Sequence, residues 1–371
     1  MEQRRWDVVV VGTGVIGLAT ARELARAGLS VTVLERGQPG REASRAAAGI
    51  ICPTYPWKEP QALGALVHWS RALFPVLCED LRRQTGVDPE WRVGGMLMFD
   101  ADERDRGASW ARAGALPFEL LDAAGVARCE PALAGADRPA LFLPTVGQVH
   151  TARLLRALTE SVMHEGVPVR QFTEVTGLVR EGGRVNGVQT REGELLATHT
   201  VIAAGAWSEA LLARANLPLP MVPVHGQLIQ YDGPPGLLSR LLLERDHYAL
   251  QRRNGQVVVG STKERVGHEI KVTEAAQAEL TKVAAELLPM LARATPNRQW
   301  ANLRPGTPDD LPYIGVHPDA AGLWINTGHF RNGITVAPAS ARLLADQLLG
   351  SVPIVDPTPY ALSRTRLAAT V

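Results

Sequence analysis

The residues from Trp6 to Arg36 constrain this chain more than any others. Val8 to Val11 read as a buried strand, and a glycine turn follows (Gly12, Gly14, Gly17). Small and aliphatic residues then recur at helical spacing (Leu18, Ala21, Leu24, Ala25), before a second apolar strand, Ser30 to Leu34, and an acid, Glu35. A strand, G-x-G-x-x-G, a helix, a strand and an acid in that order specify a βαβ unit rather than an ordinary glycine-rich turn. Gly12 permits a tight turn that a side chain would obstruct. Gly14 lets backbone approach a pyrophosphate, and Gly17 lets the helix pack close to the strands. The helix start, at Val15 and Ile16, offers free N–H groups and a partial positive charge to phosphates. Glu35, about 20 residues past the turn, stands where a carboxylate accepts the hydroxyls of an adenosine ribose and repels a 2′-phosphate. A dinucleotide site other than one for NADP is therefore predicted; this motif alone does not separate FAD from NAD.

A chain of 371 residues is too long for one simple core and fits two domains, or one large domain with an insertion. Its net charge of +1 gives no reason to expect nucleic acid or electrostatic membrane binding. Arg4 and Arg5 precede an apolar stretch, which suggests a twin-arginine export signal, but cleavage there would destroy the phosphate loop. No run is long and apolar enough to cross a bilayer. Cys52, Cys78 and Cys129 are dispersed and odd in number, as expected of reduced thiols in the cytoplasm. Neither CxxC nor HxxxH spacing occurs, so no metal site is expected.

Further along, helical periodicity marks Gln61 to Arg83 and Thr151 to about Glu165, with Thr151 as a plausible N-cap. Trp91 to Phe99 reads as a strand or hairpin. Short strands are predicted at 175–180, 185–190 and 195–199, then at 222–231, 248–252 and 256–262. Thr273 to Leu288 is helical, Leu323 to Thr327 a strand, and Pro338 to Leu349 a last helix capped by Gly350. The strand ending near Ile202 runs into small residues (Ala204, Gly205, then Trp207), a turn able to return the chain to the nucleotide.

Three later segments are more specific: Arg304 to Gly315 (RPGTPDDLPYIG), Gly328 to Ile334 (GHFRNGI) and Tyr248 within a strand. With the opening motif, they resemble the glycine oxidase branch of the D-amino-acid oxidase family of flavoproteins, over nearly the whole chain. The resemblance implies an α/β fold: a Rossmann-like FAD-binding domain (1–85, 148–220 and 304–371) with an antiparallel-sheet α+β substrate domain (86–147 and 221–303). It implies oxidation of glycine or another small amino acid or amine by hydride transfer to flavin N5, with O2 giving H2O2. A link to thiamine thiazole synthesis and a homotetramer are implied with it. The alternative on the same fold is a D-amino-acid, sarcosine or proline dehydrogenase with another electron acceptor.

Arg304 matches the family's carboxylate-binding arginine, and a guanidinium suits a buried carboxylate because it grips both oxygens. Tyr248 matches the tyrosine completing that grip, and Arg331 the arginine whose backbone helps place the substrate amine. Taken alone, Arg304 before Pro-Gly reads as a solvated turn residue and Tyr248 as a packed aromatic. The stretch Arg41 to Ile50 would wrap the flavin, with Ser44, Arg45, Ala47, Ala48, Gly49 and Ile50 in contact. Arg36, Val175 and the run His329, Phe330, Arg331, Asn332, Gly333 and Ile334 complete the expected FAD contacts, the last two opening a helix toward the ring. Tyr55 to Pro60 reads equally as a lid or as a rigid surface loop. Two departures stand out. Lys263 occupies a position where related enzymes carry an apolar side chain over the flavin, and residues 45–48 differ from the usual pattern. No cysteine neighbours Arg304 or Arg331 in sequence, so FAD is expected to be held non-covalently.

Overall fold

The computed structural model describes residues 5–364; Arg4 of the twin-arginine reading lies outside them. Trp6–Val11 lies at the centre of the first sheet, parallel to Val31–Leu34 on one side and to Gly193–Ile202 on the other. Its residues Val8, Val9 and Val10 are fully buried, as expected of a strand covered on both faces. Leu323–Thr327 adds a further parallel strand beside Gly193–Ile202, and Val175–Glu181 with Arg184–Thr190 extend the sheet as an antiparallel meander.

Four helices matter to the site: α1 (Val15–Arg26), α2 (Gln61–Thr85), α3 (Thr151–His164) and α4 (Gly333–Leu348). They pack on one face of the sheet around Val8, Leu18, Leu66, Leu158 and Leu343. Helix α4 begins at Gly333, where a helix opening toward the ring is expected, and runs on through the stretch expected from Pro338, which it accommodates in its interior. Thr151 does not cap α3. His150 holds the cap position, and the Thr151 hydroxyl donates to the carbonyls of Arg45 and Ala47 at 3.3 and 3.1 Å.

The second sheet runs in the order Arg298–Gly306, Val222–Tyr231, Val257–Gly260, His247–Gln251, Leu241–Glu244, Met96–Met98, Ala140–Leu143, Glu119–Leu121. One face packs on Glu274–Leu287, a helix capped by the Thr273 hydroxyl, through Ile229, Ala249 and Leu280. The other face carries Leu228, Tyr248 and Leu250. In the strand Arg298–Gly306, Arg304 pairs in register with Val224. Arg304 is thus a residue of the second sheet, and the boundary expected before it falls within the strand. Among the described residues, no helix is long and apolar enough to cross a membrane.

Candidate active site

A cavity of about 310 Å³ runs from the glycine turn to the inner face of the second sheet. Gly12 has φ +108°, and a Cβ there would lie 2.6 Å from the Ala203 carbonyl oxygen. A Cβ on Gly17 would meet the Gly12 carbonyl oxygen at 2.0 Å, so Gly17 serves helix–strand contact and is not on the wall. Gly14 leaves the start of α1 open to the cavity, where the Val15 N–H donates to Ser44 Oγ at 3.0 Å. The Glu35 carboxylate is held by the Thr13 hydroxyl (2.6 Å), the Thr13 N–H and the Gly37 N–H (both 3.0 Å). Three donors leave acceptor capacity on Oε1. A side-chain-free cradle at a helix start, with a fixed acid beyond it, fits the diphosphate and ribose of FAD.

Nearly all residues singled out from sequence reach this wall: Val15, Ile16, Arg36, Ala47, Ala48, Gly49, Ile50, Val175, Ala204, Gly205 and the run 329–334 among them. The Arg36 guanidinium stacks on Trp207 at 4.0 Å. Besides Gly17, Arg45 is off the wall: the residue is exposed, and its backbone carbonyl accepts from Thr151. His329 faces the cavity with its ring buried and Nε2 2.7 Å from Ser340 Oγ; burial pushes it down to about 3, so it is neutral. Helix α4 opens at Gly333 on the wall with no side-chain cap, leaving its first N–H groups and positive dipole end toward the cavity.

At the other end, Arg304 and Tyr248 line the same chamber. The Arg304 guanidinium is seated by Ser261 Oγ (2.7 Å) and the carbonyls of Thr262 (3.1 Å) and His225 (3.4 Å). Room for it exists because Gly226 has no side chain; a Cβ would sit 2.1 Å from Nη1. Arg304 makes no ion pair among the described residues, although burial lowers its proton affinity. A half-buried guanidinium whose partners are only dipoles keeps its full charge toward the cavity, where it suits a carboxylate. Tyr248 is buried, which raises its pKa and keeps the phenol protonated as a donor.

The Arg331 side chain turns from this grip toward Glu59 Oε1 (3.2 Å) and Asp246 Oδ1 (3.4 Å), while Lys263 Nζ meets Asp246 Oδ2 at 2.6 Å. Lys263 therefore lines the cavity as half of an ion pair. Asp246, absent from the sequence reading, sits in a two-residue turn with φ +69°, and only the partners supplied by the fold reveal it. Cys52 also reaches the wall from a distant part of the chain; burial pushes its thiol up to about 11, which suppresses nucleophilic attack. The Tyr55 to Pro60 segment is fastened: Tyr55 donates to Asp100 at 2.7 Å and Trp57 to Glu103 at 2.6 Å.

A family model for FAD dependent oxidoreductases (DAO) matches residues 7–347. A glycine oxidase of Pseudomonas aeruginosa is 46% identical over 355 residues, 95% of this chain and 98% of that protein. A bifunctional ThiO/ThiG protein of Trichormus variabilis is 34% identical, with 92% of this chain matching 52% of its length. The crystal structure of glycine oxidase from Geobacillus kaustophilus superposes with a TM-score of 0.92 at 32% identity, covering 98% of this chain and 99% of that one.

Proposed function

Because the chain belongs to the FAD-dependent oxidoreductase family, with FAD as its cofactor and full-length amino-acid oxidases as relatives, we propose that it oxidises glycine or a similarly small amino acid and reduces O2 to H2O2. The observation that carries this reading is the Arg304 guanidinium, hydrogen-bonded but without an ion pair among the described residues, beside the protonated Tyr248 in the chamber of the glycine cradle. In this proposal Gly12, Gly14 and the start of α1 hold the diphosphate and Glu35 the ribose, with FAD bound non-covalently. Residues 46–50 and the start of α4 border the ring. The first sheet and its helices form the FAD unit, and the second sheet forms the substrate unit.

A bound flavin would supply the two-electron chemistry between the substrate Cα–H and O2, the amine giving up the proton that completes H2O2. Arg304 and Tyr248 clamp the substrate carboxylate, which fixes where Cα lies and converts a collision into a held geometry. No imidazole or free carboxylate is needed as a base if the amine arrives neutral; Asp246 is occupied by Lys263 and Arg331, and His329 by Ser340.

Similarity to the ThiO/ThiG protein supports a role in supplying the thiazole of thiamine. The resemblance to the glycine oxidase branch supports a cytoplasmic homotetramer. The test is peroxide release under air across an amino-acid panel: glycine or another small amino acid should give it, and no amino acid doing so would remove the reading. Turnover only with an artificial acceptor would replace the oxidase by a dehydrogenase.

A further inference from the structure

We infer that Arg252 is a positioning residue: with Thr151 it clamps the carbonyls of the segment 45–49 so that the backbone bordering the flavin is held in one conformation. The inference rests on the cavity being the FAD site. Arg252 follows the strand His247–Gln251, four residues past Tyr248, and is buried. Its Nη1 donates to the Val149 carbonyl at 2.5 Å and its Nη2 to the Ala48 carbonyl. No ion pair is found for it among the described residues, although burial lowers its pKa to about 10. Removing a charge from water with only dipoles as partners is costly, and an apolar side chain fills such a space more cheaply. What a guanidinium adds is two rigidly spaced donors that bridge carbonyls of segments about 100 residues apart in sequence from each other.

Five consecutive carbonyls are taken up in this way. Those of Arg45 and Ala47 share the one hydroxyl hydrogen of Thr151, that of Ala46 accepts from Trp300 Nε1 (3.0 Å), that of Ala48 from Arg252, and that of Gly49 from the Val149 N–H (2.9 Å). The N–H groups of Ala46 and Ala47 are used within the short turn that starts at Glu42. Those of Ala48 and Gly49 have no acceptor among the described residues, and both residues line the cavity. Gly49 at φ +83° admits no side chain, since a Cβ would lie 2.3 Å from the Val149 carbonyl oxygen. With every carbonyl anchored to protein, two donors remain for acceptor atoms on the edge of a planar ring.

Arg252→Lys and Thr151→Val, purified as holoenzymes beside the parent, test this. FAD dissociation constants, the visible flavin spectrum, the flavin midpoint potential and the melting temperature of the FAD-stripped chain are measured. Loss of one or two donors predicts a rise in the dissociation constant of about 10-fold for Arg252→Lys and about 3-fold for Thr151→Val. A shifted potential and altered spectral fine structure are expected, with the stripped chain melting near the parent. Parent-like FAD affinity, spectrum and potential in both variants would overturn the clamp, even if melting temperatures fell. Should Arg252→Lys fail to fold, Thr151→Val decides alone. A parent protein that binds no flavin would instead overturn the FAD reading on which the clamp rests.

Discussion

Arg304 concentrates the chemistry of this protein into one side chain. Its seat of one hydroxyl and two carbonyls orients it without neutralising it, and the proposed function assigns it the substrate carboxylate. Arg304→Ala is expected to lower kcat/KM for glycine by about 10²–10³-fold, mainly through KM, with FAD retained, since truncating one partner of a hydrogen-bonded charge pair costs about 3–4 kcal/mol. Steady-state kinetics check this, and unchanged kinetics would remove Arg304 from the substrate site. Tyr248→Phe should cost less, about 10-fold, for one neutral donor. A second residue-scale consequence concerns acid stability. Burial pushes His329 down to about 3 and His150 to about 4, whereas imidazoles in the unfolded chain titrate near about 6.5. Between those values the unfolded chain binds more protons, so stability falls as pH drops from about 6.5 toward 4 and is unaffected by these groups above 7. Melting temperature against pH should fall on the acid side, and more shallowly in His329→Asn. An identical acid slope in that variant would contradict the assignment.

At the scale of elements, the glycine turn and α1 are the most legible part of the chain. Their identity is local: Gly12 and Gly17 stand where the backbone cannot carry a side chain, and Gly14 keeps their spacing as G-x-G-x-x-G. Gly17→Ala places a methyl 2.0 Å from the Gly12 carbonyl oxygen and should abolish FAD retention, giving a colourless protein. Gly28→Ala, at φ +89° with nothing within 4 Å, strains its own backbone by about 1 kcal/mol and should remain yellow. Flavin absorbance of the two purified variants separates them. The less legible elements lacked such signals. Ala101–Ala113 is a polar helix whose burial depends on Gly107 meeting Trp57, a contact invisible in local periodicity. Leu241–Glu244 is only four residues long, and its partners include Met96–Met98, far away in sequence. The start of α4 is legible at Gly333 and Ile334, whereas the periodic stretch from Pro338 marks only its later turns, because Pro338 reads as a first-turn residue although it lies inside the helix.

Across the whole molecule, the site exists only because two sheets close on one cavity. Motif residues such as Arg304 and Arg331 were readable because each sits in a distinctive local segment. Asp246 and Arg252 were not, because their meaning lies in partners from remote strands and loops. The chain Glu59–Arg331–Asp246–Lys263 ties four separate segments together at this cavity. The Lys263–Asp246 pair is partly exposed, so Lys263→Met should change stability by less than about 1 kcal/mol. It should leave kcat/KM for glycine within about 3-fold and raise the preference for sarcosine relative to glycine, read as the ratio of their kcat/KM values. An unchanged ratio would place Lys263 outside substrate selection. The central claim is tested most directly by mixing the purified yellow protein anaerobically with glycine or with methylamine and following flavin absorbance. The account predicts that glycine, which bears the carboxylate for Arg304 and Tyr248, bleaches the flavin while methylamine does not. Equal bleaching by both, or none by any small amino acid, would contradict it.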